Sequence, residues 1–236
     1  MVRKKHRILL FGFGRYGEQI AKNLALDGHE IAIAATTKEE LKVAANDGFE
    51  NLYVVDIEDD AQLTDLVLDH SFTHIFCAFD DEEKNIYLTI TFKALFRTIP
   101  VIAICESKET ERKLRLAGAD RVIDTMVAAA NRLYYIVEKP AVAEAIDEIL
   151  FKDKSILFEE IEVPKGSILD GVNIKDIAFS KKYKVILIGL VDRELGNKFV
   201  FVTRGINHKI DGGDVLVVVG KKHDIAEFKK LLGEES

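Results

Sequence analysis

Cysteine is scarce in this chain of 236 residues: only Cys77 and Cys105 occur, and neither belongs to a CxxC pair. That excludes a disulfide framework and fits a reducing cytosol. Proline is almost as rare, with three residues, while 48% of the chain is hydrophobic. A packed core is therefore expected and disorder is not. No window reaches the ~18 apolar residues that a membrane helix requires. The apolar stretch after "MVRKKHR" is too short for a signal peptide and runs into glycine. These absences predict a soluble, cytoplasmic chain. Positive charge is in deficit, with 33 Lys and Arg against 40 Asp and Glu and a net charge of −7. Nucleic acid and anionic lipid surfaces are thereby excluded as broad partners. The six histidines show no HxxxH or His/Cys spacing for zinc and read as surface or turn residues. No GxSxG motif or Ser/His/Asp context supports covalent catalysis.

What is present is an alternation of apolar strands and helical segments. "RILLF" (7–11) reads as a buried strand, followed by a glycine turn and a helix to about Asp27, with Gly28 as its stop. "HEIAIAA" (29–35) is a second strand, and "KEELKVAAND" (38–47) a second helix closed by Gly48. "NLYVVDI", "HIFCAF" and "PVIAICE" continue the series, and "RVID" closes a sixth short strand at 124. Strand–helix–strand units in series predict an α/β fold with a Rossmann-like, doubly wound parallel sheet. From Thr125 the texture changes to a long helical stretch interrupted by Pro140, which predicts two helices meeting near Lys139. "ILFEEIEVP", "VILIGLV", "FVFVT" and "DVLVVVG" then read as strands and "DIAEFKKLL" as a closing helix, together a smaller C-terminal α+β domain. The expected division is 1–125, a crossover at 126–152, and 153–236.

The glycine turn carries the chemistry. Gly12, Phe13, Gly14, Arg15, Tyr16 and Gly17 form GxGxxG between a strand and a helix, the context that a dinucleotide-binding turn requires. Gly12 permits the tight turn, Gly14 lets a pyrophosphate approach the backbone, and Gly17 lets helix and strand pack closely. The helix N-terminus offers N–H groups to a phosphate, and Arg15 adds a cation. The acid that bonds the ribose of NAD, normally ~20 residues on, is replaced by Ala35. Thr36 and Thr37 follow as weaker ribose partners, and Lys38 stands either against a 2′-phosphate or in solvent at a helix start.

Two acidic runs, "DIEDDAQL" (56–63) and "DDEEKN" (80–85), follow strands. Asp56 and Asp80 are the candidate ligands there for calcium or magnesium, although Asp and Glu also favour the first turn of the helices that begin at these points. Cys77 and Cys105 fall on adjacent strands and read as buried, inert thiols. The C-terminal segment holds no convincing acid/base pair, which leaves a small NAD(P)-dependent oxidoreductase as the alternative rather than the leading reading.

The full series of motifs resembles the regulator of potassium conductance (RCK) domain of Trk/Ktr-type uptake regulators and ligand-gated potassium channels. "RILLFGFGRYGEQIAKNLALDGHEI" is similar to its opening. "LYVVDIEDDAQL", "AFDDEEKNI" and "LRLAGADRVI" are similar to its third, fourth and sixth strand regions, and "EIEVPKGSILDGVNIKDI" and "GGDVLVVVGKKHDIAEF" to its C-terminal lobe. The resemblance implies a non-enzymatic sensor controlling potassium flux. It implies dimers that pair through the sixth-strand and crossover region and assemble into an octameric ring beneath a membrane-embedded channel or transporter pore. An adenine nucleotide (ATP, ADP or NAD(H)) is the implied ligand, with Ca2+ or Mg2+ as a further one. Gly12, Gly14, Arg15 and Gly17 match the phosphate loop, Asp56 and Ile57 the edge of the base pocket, and Ala78, Phe79 and Asp80 the wall of the crevice. The chain departs from that pattern at Ala35, at Ile104, where nucleotide-binding members often carry arginine, and at Met126, where some carry a cation-linked acid. Of the carboxylates used by calcium-gated members, Ala78 and Ile104 replace two and Glu106 is retained.

Overall fold

The computed structural model describes residues 5–148, 155–193, 196, 198–202 and 208–233. The chain divides into two compact units, Arg3–Tyr134 and Tyr135–Ser236. The expected junction at 152–153 lies outside the described residues.

In the N-terminal unit the chain alternates strand and helix: β1 (Arg7–Phe11), α1 (Arg15–Leu26), β2 (Glu30–Ala35), α2 (Lys38–Asn46), β3 (Asn51–Val54) and α3 (Asp60–His70). It continues with β4 (His74–Cys77), α4 (Glu82–Leu95), β5 (Val101–Cys105), α5 (Lys108–Leu116) and β6 (Arg121–Asp124). All strand pairs are parallel, and the sheet order is β3-β2-β1-β4-β5-β6. This is the doubly wound dinucleotide-binding order, with its switch point between β1 and β4.

The unbroken apolar run of β1 follows from cover on both faces. Leu9 and Phe11 pack with Leu63, Leu88, Phe92 and Leu114, from α3, α4 and α5. Ile8 and Leu10 pack on the other face with Ala21 of α1 and with Leu41 and Ala44 of α2.

Two strands end earlier than their hydrophobic runs. β3 stops at Val54 because Asp56 turns: its carboxylate accepts from Glu58 N–H at 2.9 Å, and its own N–H goes to Gln62 Oε1 at 2.7 Å. β4 stops at Cys77 because the carboxamide of Asn85 takes both backbone groups of Phe79, at 2.9 Å each.

After β6 come α6 (Thr125–Glu138) and α7 (Pro140–Asp147). Pro140 stands at the first position of α7, with Lys139 between the helices in a non-helical conformation (φ −140, ψ 58). The proline breaks the helix where expected, since its missing N–H is harmless only in a first turn.

The C-terminal sheet is antiparallel, formed by β7 (Ile156–Glu162), β8 (Ile186–Asp192), β9 (Lys198–Phe201) and β10 (Val215–Lys221), in the order β7-β10-β8-β9. Ile161, Leu190, Leu216 and Val218 bury one face beneath α9 (Lys222–Leu232), whose Phe228 stacks with Tyr183 at 4.6 Å. Tyr183 comes from a short helix, α8 (Phe179–Tyr183), that the sequence pattern does not reveal. No described helix is long and apolar enough to cross a membrane.

Candidate functional site

The glycine turn leaves β1 at the switch point. Gly12 adopts φ +90, and its N–H donates to Ala34 O at 2.9 Å. A Cβ there would stand 2.8 Å from the backbone of Phe79, so the turn presses directly on the second residue after β4. Gly17 packs closer still, since a Cβ would lie 2.0 Å from Gly12 O. These two glycines do the packing work that their spacing implies. Phe13 sends its ring into the core against Phe49, at 5.6 Å, and offers the crevice only backbone.

The third glycine meets something else. At Gly14, the cap of α1, the space of a side chain is filled by the carboxylate of Asp80, 2.6 Å from a Cβ position. Asp80 Oδ2 accepts from Arg15 N–H at 3.4 Å and faces Arg15 Nε at 3.5 Å. Arg15 Nη2 donates to Glu106 Oε1 at 3.0 Å, and Tyr16 Oη donates to the same oxygen at 2.9 Å. Asp80 first, then Glu106, holds the Arg15 guanidinium above its already high range. The helix N-terminus and its cation are thus matched by two carboxylates from the ends of β4 and β5.

Beside this cluster opens a cleft of about 570 Å³, lined by Thr36, Val54, Asp56, Ile57, Gln62 and Lys84 among others. Lys84 bridges the two regions: its Nζ donates to Thr36 Oγ1 at 3.3 Å and lies 5.1 Å from the centre of the Phe79 ring. Thr37 points elsewhere, accepting from Glu40 N–H as the cap of α2. Glu40 has its carboxyl pushed up by burial, with Lys84 opposing that shift. Ala78 is buried and forms the floor under Gly12. A smaller cavity of about 40 Å³ lies at the opposite end of the strands, by Arg7, Glu30 and Asn51.

The sequence matches the TrkA-N domain over residues 8–125 and the TrkA-C domain over residues 158–233. The chain belongs to the RCK (TrkA-N/TrkA-C) family. It is similar to "Probable potassium channel protein 2" of Methanocaldococcus jannaschii, 23% identical over 97% of this chain and 67% of that protein. "Potassium channel protein 1" of the same organism is 22% identical over 95% of this chain and 66% of its own length. The chain therefore spans about two thirds of the curated relatives it matches. Among solved structures, the human SLO3 gating ring superposes with a TM-score of 0.67 at 10% identity, covering 94% of this chain and 45% of that one. The "GsuK channel bound to NAD" superposes at 0.51 with 16% identity, over 98% of this chain and 39% of that one.

In this RCK chain the acidic runs act largely as helix caps. Asp59 accepts from Ala61 and Gln62 N–H at the start of α3, and Asp81 accepts from Glu83 N–H at the start of α4. Asp56 and Asp80, the residues nearest the strand ends, are brought to the same edge of the sheet but not to one another. Asp56 faces the cleft, whereas Asp80 faces Arg15. Cys77 and Cys105 are buried, and burial pushes their thiols up to about 12 and about 11, so neither is reactive near neutral pH.

Sequence reasoning missed Asn85, Lys84 and Glu82. Glu82 accepts from Glu106 N–H and from Thr110 Oγ1, fixing the carboxylate that grips Arg15. A polar residue at an inward-facing position of α4 was the available signal for Asn85.

Proposed function

We propose that this RCK chain is a non-enzymatic regulatory module at the cytoplasmic face of a potassium channel or transporter. An adenine nucleotide or NAD(H), held between the Gly12–Gly17 turn and the Asp56–Ile57 edge, sets its conformation. The division proposed is a nucleotide-binding lobe at 1–125, a crossover and dimer interface at 126–152, and a C-terminal lobe at 153–236. The observation that carries this reading is the placement of the glycine turn. It opens a helix at the β1/β4 switch point, where open parallel sheets hold ligands, with a cleft beside it lined by Thr36, Asp56 and Ile57. A bound ligand acts here only through its differential affinity for two arrangements, so a modest site suffices if it discriminates. Ca2+ or Mg2+ has less support as the effector, because Asp80 is engaged by Arg15.

Calorimetric titration of the full chain with ADP and NAD tests the site. Arg15→Ala is expected to weaken binding by about tenfold, and Asp80→Asn to strengthen it by a similar factor, since a full negative charge leaves the phosphate position; tenfold corresponds to about 1.4 kcal/mol. Wild-type affinity in both variants, with the fold intact, would remove the phosphate role from this turn.

The dimer proposal rests on α6. Met126, Leu133 and Val137 form one apolar stripe at helical spacing, and they are 59%, 64% and 74% exposed. Such a stripe on a helix with no buried residue calls for a partner. Because the chain is proposed to pair through it, Leu133→Asp combined with Val137→Asp is expected to convert the assembly to monomers in light scattering at micromolar concentration. An unchanged mass would move the interface elsewhere.

A further inference from the structure

We propose that the C-terminal unit carries a binding site for a divalent transition cation, of the zinc class, formed by His208, Asp211 and Asp214. The site is independent of the nucleotide crevice. Three ligand atoms, one from each side chain, lie within 4.8 Å of one another, and His208 Nε2 stands 2.8 Å from Asp214 Oδ2. Tetrahedral zinc bonds imidazole nitrogen and carboxylate oxygen at about 2.0–2.2 Å. Its ligands then sit roughly 3.3–3.6 Å apart, so His208 Nε2 and Asp214 Oδ2, at 2.8 Å, spread by about 0.5–0.8 Å, while the other pairs contract by at most about 1.5 Å from 4.8 Å. One imidazole with carboxylates suits zinc, cobalt or manganese better than calcium, which takes oxygen alone.

The second observation concerns the other ring nitrogen. His208 Nδ1 faces Asp192 Oδ2 at 3.5 Å, and the Asp192 side chain is 5% exposed. A metal-bound histidine typically donates its remaining N–H to a carboxylate, which fixes the tautomer and raises ligand basicity. Asp192 is in place for that role once Nε2 gives its lone pair to a cation. The register explains the geometry: Val191 of β8 pairs with Val215 of β10, so Asp192 and Asp214 fall opposite one another at the strand ends. The His208 imidazole stands between these two buried carboxylates, with Nδ1 toward Asp192 at 3.5 Å and Nε2 toward Asp214 at 2.8 Å.

The ligands are also held by the fold. Ile174 N–H donates to His208 O at 2.9 Å, and Ile210 N–H to Val172 O at 2.9 Å. Gly212 N–H donates to Asp170 Oδ1 at 3.1 Å, and Asp211 N–H to Asp214 Oδ2 at 3.1 Å. The Asp214 side chain is 1% exposed, while His208 and Asp211 are half-buried, which leaves a side open for entry and for a water as fourth ligand.

Cobalt is the probe, because its d–d absorption reports coordination and zinc displaces it. The full chain, stripped with chelator, is expected to bind one Co2+ per chain saturably with visible absorption. Zinc should bleach that band and shift a single histidine Nε2 resonance in nitrogen-15 spectra. Asp211→Asn and His208→Gln should each lower affinity by at least the ~10–100-fold that loss of an outer-shell partner costs. Asp211→Asn keeps the backbone groups of the turn and is half-exposed, so its folding, checked by circular dichroism, is expected to be unaltered. Absence of saturable binding at millimolar metal would overturn the site. So would undiminished stoichiometry and affinity in folded Asp211→Asn, or binding without a shifted histidine.

Discussion

Replacing Gly17 with alanine is expected to leave a protein that melts about 6–12 °C below the parent. The added methyl would stand 2.0 Å from Gly12 O and 2.9 Å from Gly12 C. Both are backbone atoms, and no flexible side chain is available to move aside. Gly12 is itself fixed by its N–H bond to Ala34 O, and the next strand by Ala78 N–H to Phe11 O at 2.8 Å. Relief requires α1 to lift from the end of β1, which opens the packing of Ala21 against Leu10 and Ile33. Overpacking a close core contact typically costs about 1–3 kcal/mol, and more where the clash is with backbone. At ~3 kcal/mol the loss is a large part of a total stability of about 5–15 kcal/mol, and each kcal/mol moves the midpoint by about 2–4 °C in a chain this long. Thermal melting by circular dichroism measures it directly. A variant melting with the parent would mean that helix and turn are not in this contact.

Asn85→Leu is the second large effect. Asn85 is fully buried. Its Oδ1 accepts from Phe79 N–H at 2.9 Å, and its Nδ2 donates to Phe79 O at 2.9 Å and Ile104 O at 3.3 Å. Leucine keeps the branching at Cγ but is larger and has no polar atoms, so three backbone groups lose that partner. Each buried orphan costs about 1–3 kcal/mol, so a total loss of roughly 3 kcal/mol or more is expected. The effect should also be local. The Phe79 amide should exchange with solvent faster, and, because Phe79 is proposed to wall the nucleotide crevice, affinity for ADP should fall. Equal exchange at Phe79 in variant and parent would show that another group holds the strand end.

Much of this fold is legible from the residues. The apolar runs of β1, β2, β4 and β5, the helix stops and Pro140 each state their own local geometry. The glycine turn is legible for the same reason, since its spacing encodes a steric requirement between nearby atoms. What the sequence does not show is pairing across distance. Arg15 reads as a cation waiting for phosphate, yet it lies against Asp80 and Glu106, 65 and 91 residues on. Asn85 sits in a run of acids and reads as one more solvated residue until α4 turns it inward. His208, Asp211 and Asp214 repeat at intervals of three, a spacing unlike the familiar zinc patterns, and Asp192 comes from a different strand. The early ends of β3 and β4 have the same origin, because side chains from later helices capture their backbone groups.

The boundary between the two compact units has a mechanical meaning. It falls at Tyr134 and Tyr135, inside α6, rather than in a loop. A helix of 14 residues is about 21 Å long at 1.5 Å per residue. Its ladder of backbone hydrogen bonds makes the connection stiffer than a loop of the same length. The ladder is interrupted only further on, at Lys139, whose dihedrals leave the helical range beside a proline with its own φ locked.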